Sequence, residues 1–153
     1  MDVLKELKPY GKNMKVFLDT NVILDYLLKR KPFYESAKKI FDSCLFLIDG
    51  FVTPHSLIDV FYMLTERTDS SLEYCRNTIQ KLAIVLTVVP EDEKTVKSAS
   101  ANVSFADFED SMQNQAACRM GADYIITRNL KDFDNSEVQI ISPDEFVLNF
   151  LND

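Results

Sequence analysis

The most constraining feature of this chain is the stretch Val16-Phe17-Leu18-Asp19-Thr20-Asn21, where an apolar run meets polar residues and the apolar period then changes. The composition of Lys15 to Leu18 predicts a short strand, and the apolar residues that follow recur at helical spacing: Val22, Ile23, Leu24, Tyr26, Leu27 and Leu28. Asp19 is therefore predicted at the carboxyl end of a strand, where open parallel α/β sheets bind ligands. The simpler alternative is that Asp19 or Thr20 only caps the helix.

Strands and helices are predicted to alternate along the rest of the chain. Apolar runs predict strands within residues 45–52, 84–89, 123–126 and 138–141, with Asp49-Gly50 marking a turn within or beside the first of these. Helical spacing predicts helices over residues 33–44, from Pro54 to before Asp69, and over 72–83, 91–99, 105–120 and 143–151. This alternation predicts an α/β fold, a three-layer α/β/α arrangement with a mostly parallel central sheet.

Apolar spacing also predicts which residues face the core. In the helix that begins at Thr53-Pro54, the predicted core face is Leu57, Ile58, Val60, Phe61 and Leu64. In the 105–120 helix, a repeat of four predicts Phe108, Met112, Ala116 and Met120, with Gly121 ending the helix. In the last helix, Phe146, Val147 and Phe150 are predicted to face inward.

Length and composition limit the class of protein. The 153 residues suit one domain, predicted over residues 14–153, after a charged leader (1–13) that lacks the apolar core of a secretory signal. No apolar run reaches the roughly 18 residues of a membrane span, so no membrane association is predicted. Three widely spaced cysteines and a single histidine disfavour disulfides and a structural zinc site, which fits a cytoplasmic protein. A net charge of −7 argues against broad, non-specific affinity for nucleic acid.

Three acidic or amide side chains are predicted to converge at one edge of the sheet. Asp19 and Asn129 each follow a short apolar strand, and Asp110 lies in an early turn of the helix that leads to the second of these strands. Such a cluster of hard oxygen ligands suits Mg²⁺ or Mn²⁺. Carboxylates this close would repel one another without a cation. The cation would hold phosphate oxygens and activate a water molecule.

These motifs resemble those of PIN domains. The opening motif of that family is similar to Leu18-Asp19-Thr20-Asn21. Its acidic helix is similar to Asp107-Phe108-Glu109-Asp110-Ser111-Met112 with Ala116-Ala117. Its closing motif is similar to Ile125-Ile126-Thr127-Arg128-Asn129 with Asp132-Phe133. The resemblance covers Met14 to about Ser142, and the ordered set of three motifs is far more specific than any one of them. It implies a divalent-metal-dependent ribonuclease that cleaves single-stranded RNA. Many small bacterial members are toxins held inactive by an antitoxin.

The resemblance also implies roles for individual residues. Asp19, Asp59, Asp110 and Asn129 would be the catalytic, metal-binding set, with Thr20, Asn21 and Thr127 as supporting polar groups. Two positions depart from the commonest pattern, because Asp59 stands where Glu is usual and Asn129 stands where Asp is frequent. Asp132 is a candidate replacement for the missing charge. Asp107 is either a further metal-site acid or simply an N-terminal helix residue.

The basic residues near these motifs have two interpretations. Lys29, Arg30 and Lys31 form the densest basic cluster of the chain, and Arg128 lies within the closing motif. They are candidate contacts to RNA phosphates. Alternatively, the cluster at 29–31 only complements the dipole of the preceding helix. A protein antitoxin and a second copy of the chain are the expected protein partners.

Other enzyme classes fit less well. A phosphoaspartate hydrolase needs a second acid two residues after the first, where this chain has Asn21, and a serine hydrolase needs a Gly-x-Ser-x-Gly elbow that is absent. A response-regulator receiver needs a pair of acids at the first strand and a lysine at a later one, and neither is present. The open alternative is a PIN-like module that binds RNA or a protein without turnover, which Asn129 and the shorter Asp59 suggest.

Overall fold

Five parallel strands form the central sheet of the computed structural model, which describes residues 14–152; the predicted leader lies outside the described residues. The strands are β1 (Met14–Leu18), β2 (Ile48–Val52), β3 (Thr87–Val88), β4 (Tyr124–Ile126) and β5 (Gln139–Ile141). Their order across the sheet is β3-β2-β1-β4-β5, and every neighbouring pair is parallel. The chain therefore builds outward from β1 on one side and then returns to its other side. In open α/β sheets, ligands bind in the crevice at such a reversal, which in this chain lies at the carboxyl ends of β1 and β4.

Helices cover both faces of this sheet. They are α1 (Thr20–Leu27), α2 (Tyr34–Cys44), α3 (Pro54–Arg67), α4 (Leu72–Val85), α5 (Glu93–Ala101), α6 (Phe108–Arg119) and α7 (Pro143–Phe146), which continues as a π-helical turn (Val147–Leu151); a 3-10 turn (Leu130–Phe133) follows β4. None of the helices within residues 14–152 combines the length and apolar character of a membrane span.

Alternating side chains of β1 divide the interior into two cores. Val16 and Leu18 pack with α1 to α4 and α7, whereas Phe17 packs on the other face with Ile125, Phe133 and the alanines of α6. Ser111 Oγ donates a hydrogen bond of 2.8 Å to the Ala99 carbonyl, which attaches α5 to α6. The predicted three-layer α/β/α fold is confirmed.

Side-chain caps explain where several helices begin. Thr53 Oγ1 accepts a hydrogen bond of 3.1 Å from Ser56 N, and Pro54 occupies the first turn of α3, where its missing N–H costs nothing. Asp107 caps α6 by accepting from Asp110 N at 3.0 Å. At the other end of α6, Gly121 has φ +63°, the left-handed conformation predicted for a helix terminator. Local chemistry therefore fixes the two helices whose first turns approach the carboxyl ends of β1 and β4.

The strand predicted over residues 84–89 is mostly wrong. α4 continues to Val85, and only Thr87–Val88 pairs with β2. Ile84, which made this run look strand-like, is exposed on the helix, while Leu82 one turn from its end is buried. Packing of α4 against the core overrides the β propensity of the run.

The turn predicted at Asp49-Gly50 is also wrong, because both residues lie inside β2. A Cβ on Gly50 would stand 2.7 Å from Cys44 Sγ and 2.7 Å from Leu86 Cδ2. The glycine therefore allows α2 and the end of α4 to approach the sheet closely, and it does not mark a turn.

Three predicted core residues face solvent instead. Ile58 is 53% exposed, and Phe108 and Phe150 are exposed as well. In α6 the buried face is formed by smaller and polar residues, namely Ser111, Gln113, Asn114, Ala116 and Ala117. Phe150 still contacts the rings of Tyr124 and Phe146, with centroids 5.4 and 5.1 Å apart. The polar buried face of α6 is the feature that hydrophobic spacing could not predict.

Replacing Gly50 by Ala should destabilise the protein by about 1–3 kcal/mol, because the new methyl group overpacks the contact with Cys44 and Leu86. Urea unfolding of the single variants Gly50→Ala and Cys44→Ala and of the double variant would measure this. Part of the loss should be recovered in the double variant, since removing the Cys44 thiol gives the methyl group room. Strictly additive losses would contradict the steric explanation.

Candidate metal centre

A cavity of about 500 Å³ opens where the carboxyl ends of β1 and β4 meet the first turns of α3 and α6. Carboxylate, amide and hydroxyl groups dominate its lining, together with one arginine. The residues that line it are Asp19, Thr20, Asn21, Leu24, Arg30, Asp59, Tyr62, Met63, Asp107, Glu109, Asp110, Gln113, Asn129 and Asp132. The structure therefore brings together the four predicted catalytic positions, both further acids and two of the three supporting polar residues.

Asp19 occupies the N-cap position of α1, but its side chain makes no capping hydrogen bond. Its backbone N donates to the Ile126 carbonyl at 3.1 Å, and its Oδ2 accepts from Thr127 Oγ1 at 2.9 Å. Burial raises the pKa of Asp19, and the hydrogen bond from Thr127 offsets part of this rise. The carboxylate is thus held toward β4, and the capping alternative does not describe what this side chain does.

The supporting threonines fix the backbone around the cavity. Thr20 Oγ1 donates a hydrogen bond of 2.7 Å to Ser56 Oγ, which lies 3.1 Å from Thr53 Oγ1 at the start of α3. Thr127 Oγ1 accepts from Asn129 N at 3.0 Å and so orients the turn after β4. These buried hydroxyls connect the starts of α1 and α3 with each other and the end of β4 with Asp19.

Asp110 lies among several acidic neighbours. Partial burial and, in decreasing order of importance, the nearby charges of Asp107, Asp132, Asp19 and Glu109 together raise the pKa of Asp110 to about 7. Asp107 is also the cap of α6, so its helix-terminal role is real even though it lines the cavity. These five acids therefore concentrate negative charge in one part of the cavity, and their mutual repulsion disfavours ionisation of Asp110.

A second group of charges stands at the edge of the cavity. His55 Nε2 lies 3.4 Å from Asp59 Oδ2 and 3.9 Å from Glu109 Oε2. Burial, followed by the charge of Asp59, raises the pKa of Glu109. Asp59 therefore faces His55 and Glu109 as well as the cavity.

The four basic candidates separate into different environments. Arg30 lines the cavity, whereas Lys29 and Lys31 are exposed and do not. Arg128 donates to Asp25 through Nε at 2.7 Å and Nη2 at 3.2 Å, and its guanidinium stacks 3.9 Å from the centre of the Phe33 ring. Since this guanidinium is already held in place, Arg30 is the better placed of the four to contact a ligand.

Sequence reasoning missed three residues of this region. Asp25 is a buried anion at the centre of the Arg128 contact, and its sequence signal was a single acid within the otherwise apolar stretch from Val22 to Leu28. Gln113 follows Asp110 by one helical turn on the same face, a spacing that could have identified it. Glu109 was part of the acidic motif but had no role assigned to it.

The donor set fits a hard divalent cation. Gln113 is buried and lines the cavity, and its Oε1 is the buried side-chain oxygen or nitrogen that lacks a hydrogen-bond partner within residues 14–152. An orphaned amide oxygen beside converging carboxylates is a group that a cation or an ordered water would satisfy. Oxygen donors of this kind are the ligands that Mg²⁺ and Mn²⁺ prefer.

Comparison with known proteins places these features in a family. A family model described as "PIN domain" matches residues 15–131. No curated protein matches the chain significantly. Among solved structures, a chain of VapBC-1 from nontypeable Haemophilus influenzae is 17% identical with a TM-score of 0.64, and the match covers 86% of this chain and 99% of that chain. A chain of VapBC2 from Rickettsia felis bound to a promoter DNA fragment is 13% identical with a TM-score of 0.61, covering 84% of this chain and 98% of that chain. A chain of a toxin-antitoxin complex from Klebsiella pneumoniae is 16% identical with a TM-score of 0.66, covering 84% of this chain and 97% of that chain.

Replacing Asp110 by Asn should stabilise the metal-free protein at about pH 8, by about 1 kcal/mol once solvent screening of this partly exposed group is considered. The pKa of Asp110 is raised in the folded state, so its ionisation weakens the fold as pH rises from its ordinary value through about 7. The difference between variant and wild type should therefore shrink toward about pH 5.

Thermal unfolding in EDTA across this pH range would measure the difference. Added Mn²⁺ should stabilise the wild type more than Asp110→Asn, because the cation binds the ionised carboxylate of the folded state. A pH-independent difference between the two proteins would contradict the assigned electrostatics.

Proposed function

The chain belongs to the PIN domain family, and on that premise we propose that it is a divalent-metal-dependent ribonuclease that cleaves phosphodiester bonds of single-stranded RNA. The observation that carries this proposal is the convergence of Asp19, Asp59, Asp110 and Asn129, with Asp132, on one cavity at the carboxyl ends of β1 and β4. Carboxylates gathered from four separate parts of the chain destabilise the protein unless they bind a cation. Their retention in one place supports a functional metal centre.

Asp19, Asp59 and Asp110 would supply the charged ligands for Mg²⁺ or Mn²⁺, with Asn129, Asp132, Asp107 and the Gln113 amide oxygen as further candidates. When bound, the cation would neutralise charge on the phosphate and lower the pKa of the attacking water. The departures from the commoner family pattern leave this centre with one acid fewer at position 129. Asp132 lies close behind and adds to the charge around Asp110, which supports it as the replacement.

The chain itself would orient the substrate through Arg30. The Arg30 guanidinium lines the cavity and stands 3.7 Å from Asp25 Oδ1, beyond hydrogen-bonding distance. Arg128 already satisfies both oxygens of Asp25. Arg30 is therefore able to turn toward a phosphate without leaving a buried acid unpaired.

We further propose that the protein is the toxin of a toxin-antitoxin pair. Its fold is shared with chains of VapBC and other toxin-antitoxin complexes. An apolar groove of about 400 Å³ between α3 and α4, lined by Leu57, Ile58, Phe61, Arg76, Ile79 and Gln80, offers a surface suited to a protein partner. Such a partner is an antitoxin or, at a symmetric interface, a second copy of the chain.

One observation favours a second candidate, a module that binds RNA or protein without cleavage. Asp59 is one methylene shorter than the usual Glu, and its Oδ2 faces His55 at 3.4 Å. With Asn129 neutral, such a pocket would bind a cation less tightly than a fully acidic one.

Replacing Asp19 or Asp110 by Asn should reduce cleavage of single-stranded RNA by roughly a hundredfold or more, because each change removes one charged oxygen from the metal centre. Both variants should fold, since neither side chain belongs to the apolar cores. Wild type, both variants and the exposed control Asp69→Asn would be compared on one RNA with Mn²⁺ and with EDTA.

The control should cleave like wild type, and EDTA should abolish cleavage by both. Equal cleavage by all four proteins would point to a contaminating nuclease or another site. Absence of cleavage by wild type, together with RNA or protein binding that the substitutions leave unchanged, would favour the non-catalytic module.

Arg30→Gln and Arg128→Gln should have different effects although the two residues contact the same aspartate. Arg30→Gln should weaken RNA binding several-fold and leave stability nearly unchanged, because it removes a charge from the cavity wall. Arg128→Gln should destabilise the fold by about 3 kcal/mol, since it leaves the buried Asp25 without its main partner. Urea unfolding and KM measurements would separate the two effects; equal loss of stability in both variants would contradict these assignments.

A further inference from the structure

His55, Asp59 and Glu109 form a group of possible cation ligands at the edge of the cavity. His55 lies in the first turn of α3, Asp59 follows one turn later, and Glu109 lies in the first turn of α6. One ligand atom from each side chain can be chosen so that all three lie within 4.8 Å of one another. Their side chains are 51%, 35% and 43% exposed, which leaves a path for an ion from solvent.

The spacing of these atoms agrees with coordination of a small cation. Zinc lies about 2.0–2.1 Å from nitrogen and oxygen ligands, so tetrahedral ligands stand roughly 3.3 Å apart. The observed separations from His55 Nε2 are 3.4 Å to Asp59 Oδ2 and 3.9 Å to Glu109 Oε2. Small side-chain rotations would therefore complete the coordination, and solvent could supply the fourth ligand.

The backbone that carries these ligands is fixed by other contacts. His55 N donates to Glu91 Oε1 at 2.9 Å, and Ser56 N donates to the Thr53 cap. The start of α6 is held by the Asp107 cap, next to Glu109. Two fixed helix starts thus present the three side chains toward one point, as a metal site requires.

We propose that His55, Asp59 and Glu109 form a second cation site at the edge of the cavity, selective for Zn²⁺ and similar imidazole-binding cations over Mg²⁺. The imidazole determines this selectivity, because Mg²⁺ prefers oxygen ligands whereas zinc readily takes nitrogen. Asp59 and Glu109 also line the cavity, whereas His55 stands outside its lining. The proposed site is therefore centred at the edge of the cavity, and Asp59 is the ligand that it shares with the Asp19 and Asp110 centre.

Sharing Asp59 has a consequence for activity, which rests on the proposed function. A zinc ion held by His55 and Glu109 would withdraw Asp59 from the central cation. Zn²⁺ should therefore inhibit Mg²⁺-dependent cleavage, and His55→Asn should be at least tenfold less sensitive to this inhibition.

The single histidine allows a direct test of binding in the full-length chain. In untagged, ¹⁵N-labelled protein, the imidazole nitrogen signals can only come from His55. Titration with Zn²⁺ at fixed pH should shift one ring nitrogen strongly and saturate near one equivalent. Mg²⁺ at the same concentrations should leave the ring signals in place.

Matched variants identify the partners of the histidine. Glu109→Gln should weaken Zn²⁺ binding at least tenfold, whereas Glu66→Gln, which alters an exposed acid on α3, the helix that carries His55, should leave it unchanged. Asp19→Asn should retain the zinc-induced shift, because Asp19 belongs to the other centre.

An imidazole signal that ignores stoichiometric Zn²⁺ would overturn the proposal and leave His55 as an ion-pair partner of the two acids. Equal zinc affinity in wild type and Glu109→Gln would overturn it too, because His55 would then bind zinc as an isolated surface ligand. The imidazole signals are measured without substrate, so this test of zinc binding does not depend on RNA cleavage. Failure of the protein to cleave RNA would refute the proposed function but would not affect the zinc-binding result.

Discussion

The position of Asp19 between β1 and β4 is the constraint on which the rest of the site depends. Its backbone N continues the pairing of the two strands by donating to Ile126, and its carboxylate accepts from Thr127. One residue thus joins the sheet to the cavity at its edge. Because a buried carboxylate is costly unless it is hydrogen-bonded, the Thr127 hydroxyl and the strand order that brings it there are both required. The other acidic and amide side chains of the cavity are arranged around this fixed point.

The remaining acids come from the first turns of helices whose starts are independently capped. Thr53 fixes α3 and with it Asp59, and Asp107 fixes α6 and with it Glu109 and Asp110. The dipole at a helix N-terminus lowers the cost of placing negative charge there. Burial and the repulsion among the acids act against the dipole, and together they raise the pKa of Asp110. Gathering these carboxylates therefore costs stability unless a cation offsets their repulsion.

Arginines near the cavity show how tertiary contacts give similar side chains different roles. Asp25 is 1% exposed and needs a strong partner. Arg128 provides two hydrogen bonds to it and stacks on Phe33, which fixes the guanidinium. Arg30 approaches the same acid without a hydrogen bond and faces the cavity. Charge counting along the sequence treats the two arginines alike, and only their contacts with Asp25 and Phe33 distinguish them.

The sequence by itself determined the fold class, the strands on either side of the site and the acids that meet there, because each was encoded locally. The junction after Leu18, the cap at Thr53 and the terminator at Gly121 act through neighbouring residues. Tertiary structure alone decided the rest. It extended α4 through an apolar run that resembled a strand, placed Gly50 inside β2 and buried the polar face of α6. It also brought His55 to Glu109 and Asp25 to Arg128, residues far apart in sequence. Such pairings arise from packing between elements, and the spacing of residues within any one segment does not determine how that segment packs against others.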